Sequence, residues 1–344
     1  MSENVNWAEF RLADEWDGAE RTLVVPCVAF TLYIDVTEPK EVQDFYDRFM
    51  GVFGKSLTHY IAESMGRPSP LTKRALTIVP TWTKRPRGGK DYFIKMMGGH
   101  DLGVDPTLLE FDLRWMPPRA PEQEKKDHDY YVDVIRRLGR IMTGVPCTSL
   151  RLTMPVDHEL AQGAKLAEWV LGFEALKGPN VITGEVGYSI NVDYGLMCGP
   201  IEKKMAALCS RYPGCDWFGT QGRWLQRWEN KLDGLLPLVK RAAWMTIVNE
   251  KTVAFLGGVV KLREAFADAP EVVLHELPHG VAIQAGPEPR MGSLGKRDFL
   301  PTYRKVAKVL RPVRSEFRDG PQSGDEDWVE FWLNMFDHDW ENED

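Results

Sequence analysis

The chain has 344 residues, 43% of them hydrophobic and 27% charged, with twelve tryptophans and fifteen phenylalanines. That excludes a disordered linker or a coiled coil and fits one large or two intimate globular domains. The formal net charge of −7 sets the chain against the phosphates of DNA and RNA, so no direct nucleic-acid binding is expected and a basic partner is.

The opening MSENVNWAEFRLADEWDGAE carries acids where a signal peptide needs a basic start, and no run approaches the ~20 apolar residues of a membrane span. The expectation is a cytoplasmic protein with no membrane contact. Cys27, Cys147, Cys198, Cys209 and Cys215 are scattered, odd in number and never spaced CxxC, which reads as reduced, buried thiols.

In chain order, TLVVPCVAFTLYIDV at 22–36 is β-branched and aromatic and predicts a buried strand. From Glu41 to Phe53 the pattern turns helical, with Val42, Phe45, Phe49 and Phe53 on one stripe. Short strands are expected at 75–82 and 108–115, a linker at MPPRAPEQEKKDHD (116–129) and a helix at 127–143. A second round follows: strand Thr148–Val156, a helix from His158 to Leu176 carrying Leu160, Ala164, Ala167 and Leu171, and strand Val181–Tyr194. Arg223 and Arg227 beside Trp224 and Trp228 read as a helix with arginine outside and tryptophan inside.

The third round has strand WMTIVNEKTVAFLG from Trp244, helix VVKLREAFADA and a hairpin EVVLHELPHGVAIQAG, then a helix at about 300–310 that Pro312 ends. The sum is an α+β fold, layered mixed sheets flanked by helices, with repeated strand–helix–strand units. An N-terminal α/β portion at 1–125, a C-terminal one at 126–320 (the two forming one continuous domain or not) and a tail at 321–344 are the expected divisions.

HELPH at 275–279 satisfies the zinc-protease pattern, in which His275 and His279 would bind metal and Glu276 would act as base. The mechanism needs a helix, and Pro278 inside it would cost ~3 kcal/mol or more; a hairpin turn is the better reading. No GxSxG, P-loop or GxGxxG occurs, and GPEPRMGSLG at 286–295 reads as a structured loop. No cofactor, metal or catalytic residue is therefore expected, and the chain is read as a binder and not an enzyme.

Residues 320–344 hold nine acids and no Lys or Arg, leaving the rest of the chain near +2. Trp328, Phe331, Trp332, Met335 and Phe336 recur there at helical spacing. Such a helix can dock its aromatics on the core and present carboxylates to a basic partner. The candidate partner-binding residues are Asp325, Glu326, Asp327, Trp328, Glu330, Trp332, Asp337 and Asp339.

Three further motifs lie between Arg241 and Arg314. RAAWMTIVNE (241–250) places Trp244 and Thr246 in a basic-x-x-x-Trp-x-Thr strand. Leu256-Gly257-Gly258 turns into a helix. GVAIQAGPEPRMG (280–292) carries Gln284, Gly286 and Pro289 in a Gly-x-x-Ile-Gln-Ala-Gly-x-x-Pro-x-x-Gly pattern and leads into LPTYRKVAKVLRPVR (300–314). The segment resembles the TsiV-like family of type VI secretion immunity proteins, found beside nuclease toxins. It departs from that pattern at Ala243, where the family has Asn, and at Gly292-Ser293, where it has Gly-Asp.

The resemblance implies an immunity protein that neutralises a cognate effector by stoichiometric occlusion or blocked assembly. The effector would be a nuclease with a basic cleft, and the motif residues would be structural. A homodimer stays open. So do two other readings, a zinc-dependent hydrolase built on HELPH and an acidic scaffold or regulatory protein.

Overall fold

The computed structural model describes residues 5–16, 19–62, 65, 67–86, 92–98, 109–115, 147–192, 199–216, 228–230, 234–236, 239–314 and 326–340. The strands are β1 (Leu12–Trp16), β2 (Ala19–Ile34), β3 (Leu57–Ala62), β4 (Ser69–Pro70), β5 (Tyr92–Gly98), β6 (Leu109–Trp115), β7 (Thr148–Pro155), β8 (Val181–Val192), β9 (Trp228–Asn230), β10 (Gly234–Leu236), β11 (Met245–Asn249), β12 (Val272–Leu277) and β13 (Gly280–Ala285). The helices are α1 (Pro39–Phe53), α2 (Ile78–Lys84), α3 (Gly163–Leu171), α4 (Gly199–Arg211), α5 (Glu250–Phe255), α6 (Gly258–Ala265), α7 (Pro301–Leu310) and α8 (Glu326–Asn334).

Among the described residues eleven strands share one sheet, ordered β12-β13-β11-β8-β2-β7-β6-β5-β3-β4 with β1 alongside β2. Every ladder in it is antiparallel, and β9 and β10 pair apart from it. The α+β class holds, with strands from both sides of residue 125 in the same sheet. β7 and β8 each run antiparallel to β2, so α3 joins two parallel strands that have β2 between them; α5 and α6 do the same for β11 and β12 around β13.

The two faces of the sheet differ. On one, Val28, Phe30 and Leu32 of β2 and Phe111 of β6 are fully buried beneath α1. The expected stripe of α1 is the buried one: Val42, Phe45, Phe49 and Phe53 all point inward. Phe173 fills the space between Phe30 and Phe45, 5.4 Å from each ring, and Phe49 lies 5.4 Å from Phe111. Burial of such side chains contributes about 1.5–3 kcal/mol each. Glu38 and Glu41 start α1 with a capping box, and Pro39 sits at its first position.

Several expected elements differ. Residues 75–84 are helical, a 3-10 turn at Ala75–Thr77 running into α2, and not a strand. Tertiary anchoring overrides the β-branched composition: the Tyr46 hydroxyl donates to the Leu76 carbonyl (2.6 Å), and Thr83 donates to Gln43 (2.8 Å). The helix expected over 158–176 is only α3, with 3-10 turns at Glu159–Ala161 and Glu174–Lys177. Extended backbone at Gln162 and Phe173 breaks it, and Leu166 and Val170 face the core while Ala164 is exposed.

The strand from Trp244 stops at Asn249, whose side chain caps α5 by accepting from the Thr252 amide (2.9 Å). The linker at 116–129 and the helix at 127–143 lie outside the described residues. So do Arg223, Trp224 and Arg227, while Trp228 begins a strand and not a helix.

Candidate functional site

The opposite face of the sheet is charged. Lys95, Asp112, Arg151, Thr31, Glu185 and Thr246 stand opposite one another across β5, β6, β7, β2, β8 and β11. Lys95 pairs with Glu110 and, at 3.1 Å, with Asp112. Arg151, 3% exposed, reaches across β2 to the Ser189 hydroxyl (3.3 Å) and the Ile190 carbonyl (3.4 Å). Burial raises the Glu110 carboxyl, but Lys95 and Arg151 outweigh it and hold Glu110 below the usual carboxylate range. Burial pushes the Cys27 thiol beside Arg151 up to about 12, so it stays protonated; Cys147, Cys209 and Cys215 are also buried, and Cys198 lies outside the described residues.

The row continues off the sheet through Lys240, whose Nζ lies 2.6 Å from Glu185 and 2.8 Å from Asp216. Its neighbour Arg241, 4% exposed, donates to the Pro213 carbonyl. The guanidinium also stacks on Trp332 (4.3 Å) and Phe336 (4.8 Å). Two adjacent cations therefore join the charged face to the C-terminal segment. Arg241 Nη1 and Asp216 Oδ1 are buried without a hydrogen-bond partner among the described residues. They border a cavity of about 20 Å³, room for one water and too little for a metabolite.

Burial pushes the Glu185 carboxyl up to about 7, against the opposing pull of Lys240. A carboxyl raised on folding makes stability highest when it is protonated and lowers it as pH climbs from the unfolded value near 4.5 through about 7. Relative to Glu185→Gln, the wild type is therefore expected to lose up to about 3 kcal/mol between pH 5 and pH 8. Urea unfolding of both proteins at the two pH values measures this, and a constant difference between them would rule it out.

The tail docks its aromatic side. Trp332 is fully enclosed, as are Met335 and Phe336, so Trp332 is an anchor on the core and not an outward binding residue. Trp328 is half-buried and donates to the Ser210 hydroxyl (2.7 Å). Asp337 is committed to Arg314, which also bonds Asn334 at 2.9 Å. Glu330 and Asp339 face solvent. Glu326 and Asp327 lie in α8, and Asp325 lies outside the described residues.

Several motif residues meet at Gly286. Trp244 Nε1 (2.9 Å) and Gln284 Nε2 (2.8 Å) both donate to the Gly286 carbonyl, where φ is 101°. Thr246 is fully buried, and its hydroxyl accepts from the Ala243 amide (3.1 Å). Gly257 and Gly258 form the turn between α5 and α6 with φ of 93° and 88°. Pro289 is buried in the loop after β13. That loop presses on Gly163 and Gly214, where an added Cβ would lie 1.9 Å from the carbonyl oxygens of Pro287 and Arg290.

HELPH is strand and turn. His275 and Glu276 are successive residues of β12 and point to opposite faces. His275 contacts Gln284 (2.8 Å), Glu276 pairs with Arg263, and His279 contacts Glu250 (3.3 Å). The helix that a zinc protease requires is absent from this segment. Among the described residues no group of three or more His, Cys, Asp or Glu is placed to hold a metal, and no helix is long and apolar enough to cross a membrane.

The sequence profile of TsiV, described as type VI immunity for VRR-NUC, matches residues 119–342. That span takes in the motif loop, the Lys240–Arg241 pair and the docked tail. The chain belongs to the TsiV family. This TsiV member is thus a type VI immunity protein directed at a nuclease effector. Its fold is similar to that of a solved Pseudomonas aeruginosa T6SS protein, PA0821, with a TM-score of 0.71, 18% identity, and coverage of 95% of this chain and 87% of that one. No curated protein matches the sequence.

Lys240, Arg241, Asp216 and the charged row escaped sequence reasoning. One signal was present: LEFDLRW and SLRLTMP alternate charged or polar with apolar residues, the mark of a strand with one polar face.

Proposed function

We propose that this TsiV-family chain silences a VRR-NUC effector by one-to-one occlusion in the cytoplasm and turns over no substrate itself. The observation that carries the reading is the C-terminal helix. Trp332 of the helix and Phe336 of the turn after it are pinned by Arg241, leaving Glu330 on the helix and Asp339 beyond the turn exposed. In the sequence, Asp325, Glu326 and Asp327 immediately precede Trp328 and add to the local negative charge. An enzyme that cuts nucleic acid needs a cationic cleft, and exposed carboxylates held on a docked segment complement it.

Protection inside a cell calls for affinity on the order of nanomolar, near −12 kcal/mol. The chain and the VRR-NUC effector encoded beside it should co-elute in size exclusion as a stable complex. Glu330→Lys with Asp339→Lys should weaken binding about 10-fold at ~0.1 M salt, mainly through slower association, with the difference shrinking at ~1 M. Separate elution at micromolar concentration would end the reading, and wild-type affinity in the double variant would remove the tail from the interface.

A further inference from the structure

The negative net charge conceals a second, positive surface. Residues 55–86 hold six cations, Lys55, Arg67, Lys73, Arg74, Lys84 and Arg85, against one acid, Glu63. All six cations are exposed, and none makes a side-chain ion pair or hydrogen bond among the described residues. They belong to one unit at the outer edge of the sheet. Lys55 precedes β3, Arg67 precedes β4, Lys73 and Arg74 follow β4, and Lys84 and Arg85 close α2. β4 is held on β3 by the His59–Pro70 and Tyr60–Ser69 pairings and by the Leu71 amide on the Thr58 carbonyl (2.7 Å). α2 is held on α1 through Tyr46 and Gln43. The cations therefore stand on a fixed frame.

On the neighbouring α1, Asp44 is paired with Arg48 at 2.8 Å, and Asp47 accepts from the Gln43 amide at 2.8 Å. The Glu185 strand that meets the tail's anchors lies five strand spacings from β3, about 24 Å at ~4.8 Å each. That exceeds two Debye lengths at ~0.1 M salt, so the charges on the Glu185 strand are screened from this edge. The edge also lies outside residues 119–342, the part matched by the family profile.

We propose that the β3–β4–α2 edge binds the phosphate backbone of double-stranded DNA without reading its sequence. Six exposed cations that make no ion pair among the described residues suit a polyanion whose charges repeat at short intervals. The effector's class makes nucleic acid the polymer present where this protein acts. This inference is separate from the proposed effector interface, and its DNA-binding assay needs no effector.

The test is fluorescence anisotropy of a labelled duplex of about 25 base pairs, titrated with the full chain at about 25 mM and 150 mM salt. If about four phosphates are engaged, affinity should fall roughly 600-fold across that range. Lys73→Glu, Arg74→Glu, Lys84→Glu and Arg85→Glu together should abolish binding at low salt with the circular dichroism spectrum and melting midpoint unchanged. Glu330→Lys with Asp339→Lys should not weaken it. No binding at low salt, binding insensitive to salt, or wild-type binding by the quadruple variant would each overturn the proposal. If the wild type ignores DNA and the quadruple variant loses the effector, the edge is a protein interface and the proposal is wrong.

Discussion

Replacing Trp332 with alanine should lower the unfolding free energy by about 3–5 kcal/mol. The indole is fully enclosed, lies 6.2 Å from Trp328 and forms one of the two aromatic surfaces under the Arg241 guanidinium. Truncation removes the packing and opens one side of a buried cation, and the two losses add because the alternative for Arg241 is a cavity. Urea denaturation followed by tryptophan fluorescence gives the number. Limited proteolysis should also cut the variant C-terminal to Arg314 sooner than the wild type. A loss under ~1 kcal/mol would mean that the tail contributes nothing to the fold and is only a presented peptide.

Lys240→Ala is the second large effect, about 3–5 kcal/mol at neutral pH. Lys240 is the shared cation of Glu185 and Asp216, so its removal leaves two carboxylates in a poorly hydrated site. The penalty should be pH-dependent, with a definite sign. Burial already raises the Glu185 carboxyl and Lys240 opposes that, so without Lys240 Glu185 holds its proton still more tightly in the folded state, and acidification restores stability. The deficit against wild type should therefore be largest near pH 8 and shrink towards pH 5. Adding Glu185→Gln to Lys240→Ala should recover part of it at pH 8. An equal deficit at both pH values would mean that the lysine acts through its hydrocarbon stem.

Local pattern carried much of the fold into the sequence. β2 and the inward stripe of α1 were legible because one hydrophobic period dominates each and no distant partner contradicts it. Residues 75–84 were not, because Ile78, Val79 and Thr81 favour a strand while the contacts from Tyr46 and Gln43 that make it a helix come from far along the chain. The helical turn of the HELPH alternative failed on a local rule, the proline, and the hairpin followed. In the tail the aromatic spacing announced a docked helix, but which acids remain outside depended on Arg314 capturing Asp337. The Lys240 cluster joins residues 185, 216 and 240 from separate stretches of the chain, which no periodicity encodes.

The row of charges across β5, β6, β7, β2 and β8 also bears on how the chain avoids assembling wrongly. A strand that slid by a single residue would turn its side chains over. Asp112 would enter the layer built from Phe30, Phe49 and Phe111, and Arg151 would meet apolar neighbours in place of Asp112. Such a slipped sheet would have to strip several ions of water with nothing to balance them. Misaligned pairings are thereby penalised, and the observed alignment of the central strands is the favoured one.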